Sequence, residues 1–311
     1  MQGEVTVQRI GTETIYFTTG AGNPVTHRVR PGEEFEVQTQ INRGPWIARL
    51  PKAEQAYWLE RLKDGNPTSG CIAVDGAQPG DMLSVTVGDF ALDPVGYTIF
   101  GGANGAMPGW LEIGTCGKVV AIRDGLIHWS DELRLPVAPM LGFVAVAPAC
   151  ETHQNAWGGA WGGNLDAPEV TTGCTVHLRV HHPDALLHIG DMHARQGDGE
   201  ICGAGGIEAG GRVRLTCRLA HPCPETLRFP RFETDDYIAV AANDKPAEDA
   251  FRHALLDLLR WLAEDYGMPH NEAYLLLGQV LEARVTQFVN PTYTYVAKVA
   301  KKYLPPRTDR A

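Results

Sequence analysis

The sequence contains no apolar run approaching the roughly 20 residues that a membrane-spanning helix needs. It has no basic surplus: 27 Lys and Arg stand against 37 Asp and Glu, a formal net charge of −10. Nucleic acids and anionic membranes are bound through basic faces that neutralise phosphate, so neither is an expected partner. The seven cysteines form no Cys-x-x-Cys pair, and their odd, scattered placement fits free thiols in a reducing cytoplasm better than a disulfide frame. The opening Met-Gln-Gly-Glu-Val-Thr-Val lacks the charged-then-apolar pattern of a secretory leader, so a soluble cytoplasmic protein is expected. Ser69-Gly70 is not part of a G-x-S-x-G elbow, and the glycines form no phosphate loop.

With 44% hydrophobic and 21% charged residues, the chain has an ordinary globular composition. At 311 residues it can bury a substantial core in one large domain or two. Its 35 glycines and 21 prolines suit many short strands joined by turns. Residues 1–40 alternate apolar and polar positions through Val5, Val7, Ile15, Phe17, Phe35 and Val37. A short helix is expected within 53–63, its Tyr57 and Trp58 serving as packing groups. Ile72 and Val74, then Leu83, Val85 and Val87, mark a pair of strands. Residues 91–118 read as an irregular glycine-rich loop, in which Met107 and Trp110 are candidate apolar walls. Pro139–Pro148 has the unbroken apolarity of a strand buried on both faces. Two amphipathic helices are expected near the C-terminus, the first closed by Gly267 and the second running over 271–285. The fold class is therefore mainly β (α+β): a β-sandwich or barrel-like core of short, mostly antiparallel strands with C-terminal helices packed against it. Residues 1–245 are expected to form a β-rich core carrying any functional site, which would subdivide near 90–118, and 246–311 a helical region covering it.

The most informative stretch is Leu187–Glu200, read L-H-I-G-D-M-H-A-R-Q-G-D-G-E. An apolar strand runs here into Asp191 and His193, two positions apart and so on one face of an extended chain. Asp198 and Glu200 repeat that spacing after Gly197. Three carboxylates and an imidazole in so short a span suit a divalent metal with mixed oxygen and nitrogen ligands, most simply zinc. Upstream, T-H-Q-N-A-W-G-G-A-W-G-G-N-L-D opens a buried strand into Asn164 and Asp166. His177, His181, His182 and His188 lie where alternation suggests exposed strand and turn positions, and are not taken as ligands.

G-D-M-H-A-R-Q-G-D-G-E, preceded by W-G-G-N-L-D, resembles the signature of the acetamidase/formamidase family. The N-P-T-S-G … G-A-Q-P-G-D segment, P-M-L-G … V-A-P, E-A-Y-L-L-L and Q-F-V-N-P extend the resemblance from about residue 66 to 304. It implies a metal-dependent hydrolase of short linear or cyclic amides, mainly β in structure and homo-oligomeric, a dimer or higher. The resemblance also brings in Glu208, at the end of the small-residue segment I-C-G-A-G-G-I-E. Where many relatives carry a His near the start of G-G-N, this chain has Trp161. With Trp157 it is expected to shape the substrate pocket.

Amide hydrolysis needs an activated water, stabilisation of the oxyanion and a proton for the leaving nitrogen. Asp191 and His193 are the leading metal ligands, completed by Asp166 and Glu208 from separate strands. Glu200 is the expected general base, and Asp198 a ligand or orienter. Asn164 would bond the substrate amide or the oxyanion. Two alternatives stand beside this reading: a non-catalytic, metal-stabilised binding protein of the same fold, and a cysteine-dependent amidase using Cys150 or Cys202.

Overall fold

The structure, a computed structural model, describes residues 7–308 apart from 102–104, 111 and 113. The expected strand position at Val5 lies outside the described residues. Among the described residues nineteen strands join into one curled sheet, and a second, two-stranded sheet pairs His153–Gln154 with Thr18–Thr19. Among the described residues all strand pairings are antiparallel except Gln8–Ile10 with Glu34–Thr39 and His27–Val29 with Thr68–Val74. The mainly β expectation holds. No helix among the described residues is long and apolar enough to cross a membrane.

The main core follows directly from the alternation. Leu83, Val85 and Val87 face inward from Met82–Phe100 and meet Val176 and Leu178, Val213 and Leu215, and Phe35 and Val37. Strands buried on both faces carry unbroken apolar runs, as Met140–Ala145 and Leu187–His193 do. These two lie side by side, and Gly162–Asn164 pairs with the other edge of Met140–Ala145. The site is built across these strands.

Two expectations fail through tertiary pairing. Residues 91–100 are not loop but the continuation of Met82–Phe100, held between Ala204–Ala220 and Cys116–Arg123. A register shift between Ala209 and Gly211 leaves Asp93–Val95 without partners on Ala204–Ala220, so Pro94 need not donate an N–H there. The second C-terminal helix stops at Val280, and Glu282–Gln287 turns back as a strand against Tyr293–Ala300. The 246–311 region thus contributes two sheet strands besides its helices. The short helix forms at Lys52–Arg61 but buries no side chain, leaving Tyr57 exposed rather than packed.

Helix Ala247–Tyr266 ends at Gly267 in the left-handed conformation and packs Leu258, Trp261 and Leu262 onto Ile238, Val240 and Val299. A buried ion pair ties it to the sheet. Asp257 accepts from Arg231 Nη2 at 2.6 Å and Nε at 3.0 Å, and from the backbone N–H groups of Arg228 and Phe229 at 2.9 Å. Removing one partner of such a pair leaves a desolvated charge behind. Asp257→Ala is expected to lower unfolding stability by about 3–5 kcal/mol in urea titrations; a loss within experimental error would show that the pair contributes nothing.

Candidate functional site

Four acids and one imidazole converge where the strands meet. Asp191 and His193 end Leu187–His193, and Glu208 stands opposite His193 on the next strand. Asp166 follows Gly162–Asn164 on the far side of Met140–Ala145, and Glu200 comes from the loop before Ala204–Ala220. All five are buried. His193 Nε2 is 3.3 Å from Glu208 Oε1 and 3.5 Å from Asp191 Oδ1. Donor atoms of Asp191, His193 and Glu208 lie within 4.8 Å of one another, as do those of Asp166, His193 and Glu200. Ligands bound to one ion at 2.0–2.2 Å sit about 3–4 Å apart, so either group could close on a cation with small shifts.

The backbone is shaped to bring the acids together. Asp166, Asp191 and Glu200 have φ of 43°, 53° and 42°, a left-handed region that non-glycine residues seldom adopt. Strain of this kind persists where the surrounding structure enforces it, and it clusters at functional sites. Gly142 makes the approach possible: a Cβ there would stand 2.5 Å from Asp166 Oδ1 and 2.6 Å from Asp191 Oδ2. Gly206 does the same for the ring, since a Cβ would meet His193 Nδ1 at 2.4 Å.

Around this cluster lies a layer of amides. Gln196 Oε1 is 2.8 Å from His193 Nδ1, while its Nε2 donates to the carbonyls of Asp166 at 2.7 Å and Thr286 at 3.0 Å. Asn290 Nδ2 donates to Asp166 Oδ2 at 2.7 Å. Asn164 Nδ2 donates to the same oxygen at 2.9 Å and to Asn290 Oδ1 at 3.1 Å. Both N–H groups of Asn164 are therefore engaged, while its buried Oδ1 has no hydrogen-bond partner. That restricts it to accepting, so it is placed for an amide N–H and not for an oxyanion.

Charge in the cluster is unbalanced. Among the described residues no lysine or arginine pairs with any of the four acids, and Asp166 Oδ1, Asp191 Oδ1, Glu200 Oε2 and His193 Nε2 have no hydrogen-bond partner. Burial and the charges of Glu200 and Asp191 hold Asp166 well above the ordinary carboxylate range. Burial likewise raises Glu208, and pushes Glu200 up to about 8. For His193 burial opposes the charged ring, but Glu208 and Asp191 outweigh it and raise its pKa well above normal. Asp191, although buried, is lowered by that imidazole. Buried donors of this kind, N and O together, match a divalent cation.

The structure does not bring the other candidates in. Asp198 points away, its side chain 64% exposed and 2.7 Å from Arg284, which in turn reaches Glu169. Trp161 stacks on His153 with ring centroids 4.2 Å apart, and Trp157 is half-exposed. His188, expected to be exposed, is fully buried against Thr68 and Asn23, with its pKa lowered to about 3 by burial. All seven cysteines are free. Burial raises the Cys202 thiol rather than activating it, and Cys150 is exposed. Gln196 and Asn290 were missed, although both stand inside the quoted motifs.

A sequence profile of the acetamidase/formamidase family matches residues 147–300, which contain the whole cluster. The chain is 24% identical to a formamidase of Methylophilus methylotrophus, over 82% of this chain and 80% of that protein. It is 25% identical to an acetamidase of Mycolicibacterium smegmatis, over 82% of each. The crystal structure of an acetamidase from Bacillus halodurans superposes with a TM-score of 0.85 at 29% identity, covering 95% of this chain and 98% of that one.

The titration of the cluster has a sign. The folded Glu200 carboxyl keeps its proton up to about pH 8, whereas its ordinary value is 4.5. His193 holds its proton above the ordinary 6.5 when folded. In both cases the folded chain binds more protons than the unfolded chain, so stability falls as pH rises through this window. Asp191, lowered from 3.8, is ionised in both states there and adds no slope. Protein stripped of divalent ions with EDTA is expected to melt at a lower temperature at pH 8 than at pH 6. A melting temperature that rises over this range would contradict the assignment.

Proposed function

The chain belongs to the acetamidase/formamidase family, and from that premise we propose that it hydrolyses short amides at the buried carboxylate–imidazole cluster with a divalent cation, most simply zinc. It is an amidase acting on carbon–nitrogen bonds other than peptide bonds. The observation that carries the metal reading is His193. Its Nε2 is directed at two buried acids, and the cluster holds four carboxylates without a cationic side chain paired to them among the described residues.

His193 Nε2, Asp191 and Glu208 would hold the ion, with Asp166 completing the set from the neighbouring strand. The ion would polarise the substrate carbonyl and make water a better nucleophile. Glu200 is fixed through Oε1 by the Gly205 N–H at 3.2 Å, leaving Oε2 free to take a proton from the attacking water. The water oxygen bonds to the carbonyl carbon, the C–N bond breaks, and Glu200 passes its proton to the departing nitrogen. The products are a carboxylic acid, which gives up its remaining water-derived proton and becomes a carboxylate, and ammonia or an amine, which can take that proton up. Asn164 Oδ1 accepts from the substrate N–H, which orients the leaving group and favours substrates carrying one. Acetamide- and formamide-like primary amides fit this acceptor, as does a lactam N–H. Asp198 acts at a distance by anchoring Arg284 on the strand Glu282–Gln287.

The test is ammonia release from a panel of short amides, together with lactam ring opening, before and after chelation and after zinc return. Turnover lost with the metal and restored by zinc is expected; turnover untouched by complete metal removal would refute the metal mechanism. Glu200→Gln should lower kcat by roughly 10²–10⁴-fold while zinc affinity is kept. Loss of zinc affinity in that variant would instead make Glu200 a ligand.

A further inference from the structure

We propose that Gln196 is a positioning residue: it selects which nitrogen of His193 presents its electron pair to the cation. The inference rests on the metal reading above and concerns a side chain outside the ligand set. His193 is fully buried, so its ring nitrogens depend on protein partners. Nε2 faces Glu208 and Asp191, and Nδ1 faces Gln196 Oε1 at 2.8 Å.

The orientation of the Gln196 amide is set independently of the ring. Its other end lies 2.7 Å from the Asp166 carbonyl and 3.0 Å from that of Thr286, two groups that can only accept. The end facing them is therefore the NH₂, and the end facing His193 is the carbonyl oxygen. A carbonyl oxygen accepts, so Nδ1 carries the hydrogen. In the neutral ring Nε2 is then left as the electron-pair donor, aimed at the acids. A partner that accepts from the far nitrogen of a liganding imidazole fixes its tautomer, orients it and raises its basicity.

The same amide joins three parts of the chain. The backbone of Asp166, the ring of His193 and the strand Glu282–Gln287 meet on one side chain. Gln196 thereby also braces the backbone at Asp166, whose carboxylate is held separately by Asn164 and Asn290. The strand Glu282–Gln287 is thereby coupled to the cation site, although it supplies no ligand.

Two substitutions separate these roles. Gln196→Met is close in size and removes all three hydrogen bonds. Gln196→Glu keeps an acceptor for Nδ1–H and removes both donations to carbonyls. Zinc affinity would be measured by competition with a chromogenic chelator on metal-stripped protein, alongside the melting temperature of the stripped protein. Gln196→Met is expected to weaken zinc by roughly 10–100-fold. Gln196→Glu is expected to melt lower yet bind zinc as tightly as the original chain. Zinc affinity unchanged in Gln196→Met, or lost equally in Gln196→Glu, would overturn the assignment; if Gln196→Met does not fold, the Gln196→Glu affinity decides alone. An original chain that binds no zinc and hydrolyses amides regardless of chelation would overturn the metal reading itself, a result distinct from either variant outcome.

Discussion

Four carboxylates and one imidazole are held inside a β-sheet protein, and the rest of the site depends on keeping that charge together. Isolated buried carboxylates are expensive; a folded chain either neutralises them by protonation or supplies a counter-charge. Among the described residues the counter-charge is one histidine, which is too little for four acids. The raised proton affinities of Asp166, Glu200 and Glu208 express the same imbalance. A divalent cation would remove the need for those protons, which is the physical ground of the metal reading proposed above.

The scaffold meets this constraint by geometry. Fully buried strands such as Met140–Ala145 and Leu187–His193 provide a rigid floor, because their side chains pack on both faces. The donors rise from that floor through local departures from β geometry. Left-handed backbone at Asp166, Asp191 and Glu200 directs acids that an ideal ladder would separate. Gly142 lies between the two aspartates because any side chain there would occupy their oxygens' space. Strain at the acids and rigidity beneath them are two aspects of one design, since only a rigid neighbourhood can hold strained residues in place.

Much of this was legible in the sequence. Asp191, His193, Glu200 and Asp166 could be gathered from motif chemistry and Glu208 from the family resemblance, and the structure brings all five together. Asp198 shows the limit of spacing arguments. Two residues apart means one face only in an extended chain, and Gly199 and Glu200, at φ of 81° and 42°, are not extended. The turn that buries Glu200 leaves Asp198 outside against Arg284. Gln196 and Asn290 were hidden for a different reason. An amide's role depends on where its two ends lie, and those partners come from residues 90 and 124 positions distant. The continuation of Met82 to Phe100 was missed likewise, because glycine and proline argue against a strand until a bulged pairing with Ala204–Ala220 accommodates them and Cys116–Arg123 pairs with the other edge.

The closing segment of the chain follows from the same logic. Residues 282–290 supply no ligand, yet they provide Thr286 to Gln196 and Asn290 to Asp166. Amides suit this layer better than charged groups would. A lysine would neutralise an acid and compete with the cation, and a further carboxylate would add to the imbalance. Glutamine and asparagine instead supply donors and acceptors at opposite ends of one planar group without changing the net charge. The cluster can therefore be fixed in orientation without its charge being neutralised by the amides themselves. A chain that ended before residue 282 would keep all the acids, the histidine and the glycines around them. It would lose the Thr286 and Asn290 contacts that hold Gln196 and Asp166 in register.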